Sequence, residues 1–516
     1  MLTEIQPALL PDLLRDQARA EPDRIALIVD GRGSVSYGDW EATSNTVARN
    51  LVQRGVAVGD RIATYFENAE WLDFAVAYFG VLKAGAVAVP LSSRFTGQEM
   101  AAILDRCAAV GVIYGEHSPG SIPAWAAQIA ALREGESGES FQVKVAPENL
   151  AEVLYTSGTT GMSKGVACRH MHAVRPLLDP SWPPPWWRAC AGGVFVHANA
   201  ISTAAGQLRL LEPLAPLCMT TLALPVFDPD RFCELVAKSG ASAVQLVPSM
   251  ATSILTSGAD GRHDLTTVTV VSMGCAPLPA PLVPPLSAAF PRARLVNLYE
   301  LSEARHAGTA LVYNGVHANS VGVPRGATQV RVTTETGEVV PAGVVGEIRL
   351  RWPGLPPQHY FRDADATSKA FIDGWTRTGD AGYLDENGYL YLVDRLKDVI
   401  IKGGITIGSL EVESALREHS SIADCAVFGI PDKIYGENLA AALVLRQPTA
   451  IRDLRDFLRS RLAPHKIPAR YIKLDELPRN RSGKVVKGRL RELIVSPPNV
   501  DAGARLADGS LRSGPH

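Results

Sequence analysis

Through residues 1 to about 390 the chain alternates amphipathic runs with short apolar ones. LLPDLLRDQARA (9–20) has helical periodicity, whereas RIATYF (61–66), AVQLVP (243–248) and TVVSMG (269–274) are short β-rich segments suited to a buried sheet. Alternation of this kind predicts α/β layering with largely parallel strands. Near Asp394 the pattern changes. ADCAVFGI (423–430), NLAAALVL (438–445) and ARYIKLDEL (469–477) read as strands. Between them IRDLRDFLRSRLA sets Ile451, Leu454, Leu458 and Leu462 on one helical face and stops at Pro464. The pattern therefore predicts a large domain over 1–394, a small α+β domain over 395–495 and a disordered tail over 496–516.

One stretch fits neither pattern. DPSWPPPWWR (179–188) holds four prolines and three tryptophans and is expected not to form regular helix. It reads either as a rigid surface loop packed by its own aromatics or as a wall beside an apolar ligand. The stretch Phe74–Pro90 is strongly apolar, but Lys83 and Gly85 interrupt it, so no membrane span is expected.

Composition narrows the function classes. Lys plus Arg number 51 against 53 Asp plus Glu, which gives no electrostatic argument for nucleic acid or an anionic membrane surface. The seven cysteines are scattered without a C-x-x-C pair, so neither a zinc site nor a disulfide framework is indicated. The N-terminus lacks the basic segment of a signal peptide, and a cytoplasmic protein is expected. The sequence leaves monomer and homodimer equally open.

The densest chemical signal is LYTSGTTGMSKGV (154–166). Thr156, Ser157, Gly158, Thr159, Thr160, Gly161 and Lys164 make a loop rich in backbone N–H groups, hydroxyls and one positive charge, suited to a polyanion. It lacks the spacing of a Walker A loop. Further along stand VLKAGAVAVPL (81–91), MGCAPLP (273–279), NLYELSEA (297–304), TRTGDAGYLDENGYLYLVDRLKDVIIKGG (376–404) and PRNRSGKVVKGRLRE (478–492). In this order the segments resemble those of the adenylate-forming enzymes, which include acyl-CoA synthetases, aryl-CoA ligases, luciferases and peptide-synthetase adenylation domains. The resemblance covers nearly the whole chain. It implies an α/β fold: a large multi-subdomain N-terminal domain with α/β sheets plus a small mobile α+β C-terminal domain.

The resemblance also implies roles. Gly274, Cys275, Ala276, Asn297 and Tyr299 would flank the adenine, Tyr299 offering its aromatic face. Glu303, beside Ser302, would bind Mg²⁺. Asp380 would accept the ribose hydroxyls, and Arg395 would reach ribose or phosphate. Lys484 would stabilise charge as a carboxylate attacks the α-phosphate of ATP. Rotation about Lys397 would then exchange Lys484 for the Gly403–Gly404 face, and a thiol of CoA or of a carrier-protein phosphopantetheine would displace AMP.

GVFVHANAISTAAGQ (193–207) lacks the aspartate with which family members hold an amino acid's ammonium. It resembles the aromatic/His motif of acyl and aryl acid ligases, with His197 in the histidine position; a buried structural histidine is the alternative. The small residues from Ala198 to Gly206 are expected to leave room for a bulky or long apolar acid. Glu300, Ser302, Ser163, Thr406 and Ser409 depart from the usual pattern. The readings left open are an acyl-CoA synthetase, an acyl-AMP ligase serving an acyl carrier protein or partner enzyme, a luciferase-like oxidative enzyme and a silent nucleotide-binding relative.

Overall fold

The computed structural model describes residues 9–120, 123–135, 139–156, 163–179, 181, 184–276, 278–317, 319–479 and 484–495. Packing divides the chain into two units. One comprises residues 1–278, 282–330 and 349–378, the other 279–281, 331–348 and 379–516.

The first unit holds two sheets. In the first, strands run in the order 359–360, 164–169, 150–156, 87–92, 61–66, 109–114 and 125–128. The middle pairings are parallel, and strands 150–156 and 164–169 form an antiparallel pair. In the second sheet, 25–29, 220–223, 194–197, 243–246, 270–273 and 294–300 all pair in parallel. RIATYF, AVQLVP and TVVSMG each supply a strand, and Leu10–Ala20 is the amphipathic helix expected, with Leu10 and Leu14 fully buried.

Lys83 is not a solvent-facing interruption of its apolar stretch. It ends the buried helix Trp71–Lys83, and its side chain is fully buried. Its ammonium donates to Glu41 Oε2 at 2.6 Å, Asn45 Oδ1 at 2.7 Å, Ser44 Oγ at 2.8 Å and the Glu41 carbonyl at 3.0 Å. Burial nevertheless pulls its pKa down to about 8. No helix among the described residues is long and apolar enough to cross a membrane.

The Pro/Trp segment differs from expectation. Pro185–Arg188 forms one helical turn, with proline near its start, where the missing N–H costs nothing. Trp187 is buried against Phe195, with ring centroids 5.9 Å apart, so it packs into the core as well as against Trp186.

In the second unit the long antiparallel pair Ile422–Asp432 and Gly436–Leu445 carries Arg470–Lys473 alongside in parallel. Leu454 and Leu458 of the helix Ile451–Arg459 are fully buried, and Ile451 and Leu462 pack against the same cluster. The tail from 496 lies outside the described residues.

Candidate active site

Parallel strands place their carboxyl ends along one sheet edge, and it is there that α/β folds bind ligands. In the second sheet His197 pairs with Ala223, Leu246 with Met273 and Met273 with Asn297, so these strand ends line up. Gly274–Ala276 leaves that edge directly after Met273, and the exposed Cys275 takes a left-handed φ of +66°. Asn297 is buried and donates to the Ser320 carbonyl at 3.5 Å, which ties it to the sheet. Tyr299 lies almost at the strand's end, opposite Thr309.

The first sheet contributes the ends of the loop expected to bind phosphate. Thr156 pairs with Lys164, so both ends of the loop leave the same sheet end; Ser157, Gly158, Thr159, Thr160 and Gly161 lie outside the described residues. Lys164 Nζ stands 5.0 Å above the Tyr360 ring, and the Tyr360 hydroxyl donates to Glu303 Oε1 at 3.1 Å. A lysine, a tyrosine and a carboxylate from distant parts of the sequence thus form one chain of contacts. Tyr360 reaches this place because its short strand pairs with 164–169, Tyr360 opposite Val166.

The turn Ser302–Ala304 that carries Glu303 is itself anchored. Arg305, next in sequence, has a positive φ and is ion-paired in the interior with Glu152, whose other oxygen accepts from Tyr78 at 2.9 Å. Glu152 belongs to the strand Leu150–Thr156 that leads into that loop, so the pair fixes the Glu303 turn to that strand. Neither Tyr360 nor Arg305 was evident from sequence, because each acts through a partner remote in the chain. Glu300 forms an ion pair with Arg325, which neutralises the charge that stands where the motif usually has glycine.

His197, expected beside the carboxylic acid, is fully buried, its ring edge-on to Trp71 with centroids 5.3 Å apart. Nδ1 accepts from the Asn199 amide at 3.1 Å, and Nε2 has no partner among the described residues. Burial first, and the nearby Arg209 second, hold it well below the ordinary histidine pKa, so the ring is neutral. Asn199 donates to Gln245 at 2.8 Å. Gly206 does not open pocket volume as expected. A Cβ there would lie 2.1 Å from the Ala200 carbonyl oxygen, so this glycine serves close backbone packing at the start of helix Ala204–Leu211.

In the second unit Asp380 and Arg395 face each other across strands 375–384 and 390–395, with Arg395 Nε 2.8 Å from Asp380 Oδ1. Asp380 is a buried strand residue, whereas Arg395 is exposed. Lys397 is exposed in the turn after Arg395. Gly403 and Gly404 form the tight turn between strands 400–402 and 405–407, with φ of +58° and +81° that a side chain would strain. Lys484 is exposed, next to the isolated Arg479–Val485 bridge, and residues 480–483 lie outside the described residues.

Comparison with known proteins decides the family. The AMP-binding enzyme model matches residues 14–358, and the AMP-binding enzyme C-terminal domain model matches 411–484. The chain belongs to the AMP-binding enzyme family. This AMP-binding enzyme is 32% identical over 505 residues to the fatty acid–[acyl-carrier-protein] ligase ScoC of Streptomyces coeruleorubidus, covering 92% of this chain and 94% of that one. It is 29% identical to the long-chain-fatty-acid–CoA ligase FadD13 of Mycobacterium tuberculosis, over 93% and 97% of the two chains. Among solved structures, the o-succinylbenzoate coenzyme A synthetase MenE of Bacillus subtilis, in complex with ATP and magnesium ion, superposes with a TM-score of 0.82. That pair is 26% identical and covers 94% of this chain and 99% of the other. The family and the α/β fold expected from the motifs are thus established.

Among the described residues no group of three or more His, Cys, Asp or Glu side chains is placed to hold a metal ion. The single carboxylate of Glu303 fits Mg²⁺ that comes largely ligated by nucleotide phosphates, which is how Mg²⁺ is usually bound.

Proposed function

We propose that this AMP-binding enzyme activates a carboxylic acid with MgATP to an acyl-adenylate and pyrophosphate, then transfers the acyl group to a thiol with release of AMP. The observation that carries the reading is the Lys164–Tyr360–Glu303 chain, which sets a cation and an oriented carboxylate at the exit of a hydroxyl- and glycine-rich loop. Glu303 would hold Mg²⁺, whose charge would offset that of the phosphates; Tyr360 orients Glu303 for it. The phosphate loop and Lys164 hold the β- and γ-phosphates, and Gly274–Ala276 with Tyr299 holds the adenine. Asp380 and Arg395 bind the ribose. A carboxylate oxygen attacks the α-phosphorus, the bond to pyrophosphate breaks, and Lys484 stabilises the charge that gathers on the phosphoryl oxygens.

The proposed domains are 1–394 and 395–495, with rotation about Lys397 bringing the Gly403–Gly404 turn into use for the second step. There the thiol sulfur attacks the acyl carbon and AMP leaves. His197 and its neighbours bound a site for a bulky or long apolar acid, because Trp71 packs edge-on against its ring and, among the described residues, the charged group acting on it is Arg209 and not a carboxylate that could pair an ammonium group. The favoured thiol is CoA, in a cytoplasmic enzyme. A carrier-protein phosphopantetheine is the second reading, favoured by the likeness to a ligase named for acyl-carrier protein. The test is a panel of acids with ATP and Mg²⁺, scored separately for pyrophosphate and for thioester on CoA or on a carrier protein. Pyrophosphate without thioester on CoA assigns the carrier reading; no acid-dependent pyrophosphate refutes both.

A further inference from the structure

One buried carboxylate joins parts of the chain that lie on either side of Lys397. Asp394 Oδ1 accepts from the Arg395 amide at 2.7 Å, and Oδ2 accepts from the Ser409 amide at 2.9 Å. Lys487 begins the last described helix, three residues beyond Lys484. Its ammonium bonds to the Ser409 hydroxyl and stands 3.9 Å from Asp394 Oδ2 and 3.3 Å from Glu413 Oε1. Gly408 closes the contact: a Cβ there would lie 2.6 Å from the Val393 carbonyl oxygen. By contrast, the 3.2 Å ion pair of Arg491 with Asp398 joins two residues that both follow Lys397.

We propose that Asp394, Ser409 and Lys487 form a latch that holds the small domain in one of its two working orientations and anchors the chain that runs from Lys484 to Lys487. Ser409 and Lys487 are then positioning residues for one half-reaction. The inference rests on the two-step reading above. A rotation about Lys397 leaves Asp394 with the large domain and carries Ser409 and Lys487 away, so the Ser409 amide exchanges a buried acceptor for water, while Lys487 keeps Ser409 and Glu413 and loses only the Asp394 charge 3.9 Å away. The Asp398–Arg491 pair travels intact. Latch strength thus sets how the enzyme divides its time between orientations.

Ser409→Pro is a narrow probe of this contact. Ser409 is the first residue of helix Ser409–Arg417, where proline is tolerated, and Gly408 has φ −80° and ψ 128°, the extended conformation that proline requires before it. The substitution removes the amide donor and the hydroxyl while sparing the helix. Lys487→Met removes the charge, and Lys487→Arg restores it. Two readouts apply to the full chain: the rate of trypsin cleavage after Lys397, and the ratio of pyrophosphate release to thioester formation from supplied acyl-adenylate. Ser409→Pro should raise cleavage and shift the ratio by about tenfold or more, the worth of a hydrogen bond to a charged group, and Lys487→Met should shift both in the same direction by less, because its charge stands 3.9 Å from Asp394. Lys487→Arg should stay near wild type. Unchanged cleavage and ratio, or two half-reactions that fall in equal proportion, would overturn the latch. If the wild-type protein releases no pyrophosphate with any acid, the functional reading fails, and the cleavage rates still judge the latch.

Discussion

Replacing Tyr360 with phenylalanine isolates the contact on which the candidate site depends. The ring remains, so its contact with Lys164 Nζ at 5.0 Å and its packing on Phe371, with centroids 5.5 Å apart, are retained. Only the hydroxyl that donates to Glu303 Oε1 at 3.1 Å is lost. A hydrogen bond to a charged group contributes roughly 1.5–3 kcal/mol, and about 1.4 kcal/mol is a factor of ten. Glu303 is only half-buried, so water recovers part of the loss and the effect belongs at the lower end. Tyr360→Phe should therefore raise the Mg²⁺ concentration for half-maximal pyrophosphate release, or lower kcat/KM for MgATP, by about tenfold. A melting temperature close to wild type should accompany it. Tyr360→Ala should also destabilise the fold, because removing a buried aromatic side chain costs about 3–5 kcal/mol. Titrating Mg²⁺ at fixed ATP is the assay. If Tyr360→Phe shows wild-type Mg²⁺ dependence and turnover, Tyr360 does not orient a metal-binding carboxylate.

Four further outcomes follow from the same geometry. Lys484→Ala should reduce acid-dependent pyrophosphate release by about 10²–10³, and wild-type activity would remove Lys484 from the adenylation step. Asp380→Asn should weaken ATP binding by about 1.5–3 kcal/mol and also lower the melting temperature, since it removes the carboxylate charge opposite Arg395 in a buried strand; unchanged calorimetric affinity would make the pair purely structural. Gly206→Ala should destabilise by about 1–3 kcal/mol because its Cβ meets the Ala200 carbonyl at 2.1 Å, and an unshifted melt would refute that packing. His170 and His172 are each held neutral by burial, with pKa lowered from 6.5 to about 4. The unfolded chain therefore binds more protons between those values, and stability should fall as pH drops through 6.5 toward 4, by about 3 kcal/mol per histidine when complete. Urea midpoints that stay flat from pH 7 to pH 4.5 would contradict this.

The fold was largely legible because buried strands such as RIATYF and AVQLVP announce themselves by unbroken β-rich runs between turns. The helical face of Leu454 and Leu458 was legible for the same reason: local periodicity and burial coincide. What escaped were residues whose environment comes from remote chain. Lys83 reads as a charge breaking an apolar run, yet Glu41, Ser44 and Asn45 surround it. Asp380 carries no local sign of burial, yet strand pairing buries it opposite Arg395. Gly206 reads as added room, yet a backbone carbonyl occupies the space a side chain would need. Tyr360 carries no local signal, because the strand that positions it is two residues long.

The central claim is that a carboxylate oxygen of the substrate becomes bonded to the α-phosphorus of ATP. It is tested most directly with an acid labelled with ¹⁸O in its carboxylate, identified from the panel as a substrate and turned over with ATP, Mg²⁺ and thiol. The AMP released is then weighed by mass spectrometry. Attack at the α-phosphorus leaves one labelled oxygen in AMP and none in pyrophosphate. Unlabelled AMP, or label in phosphate released alongside ADP, would contradict the account.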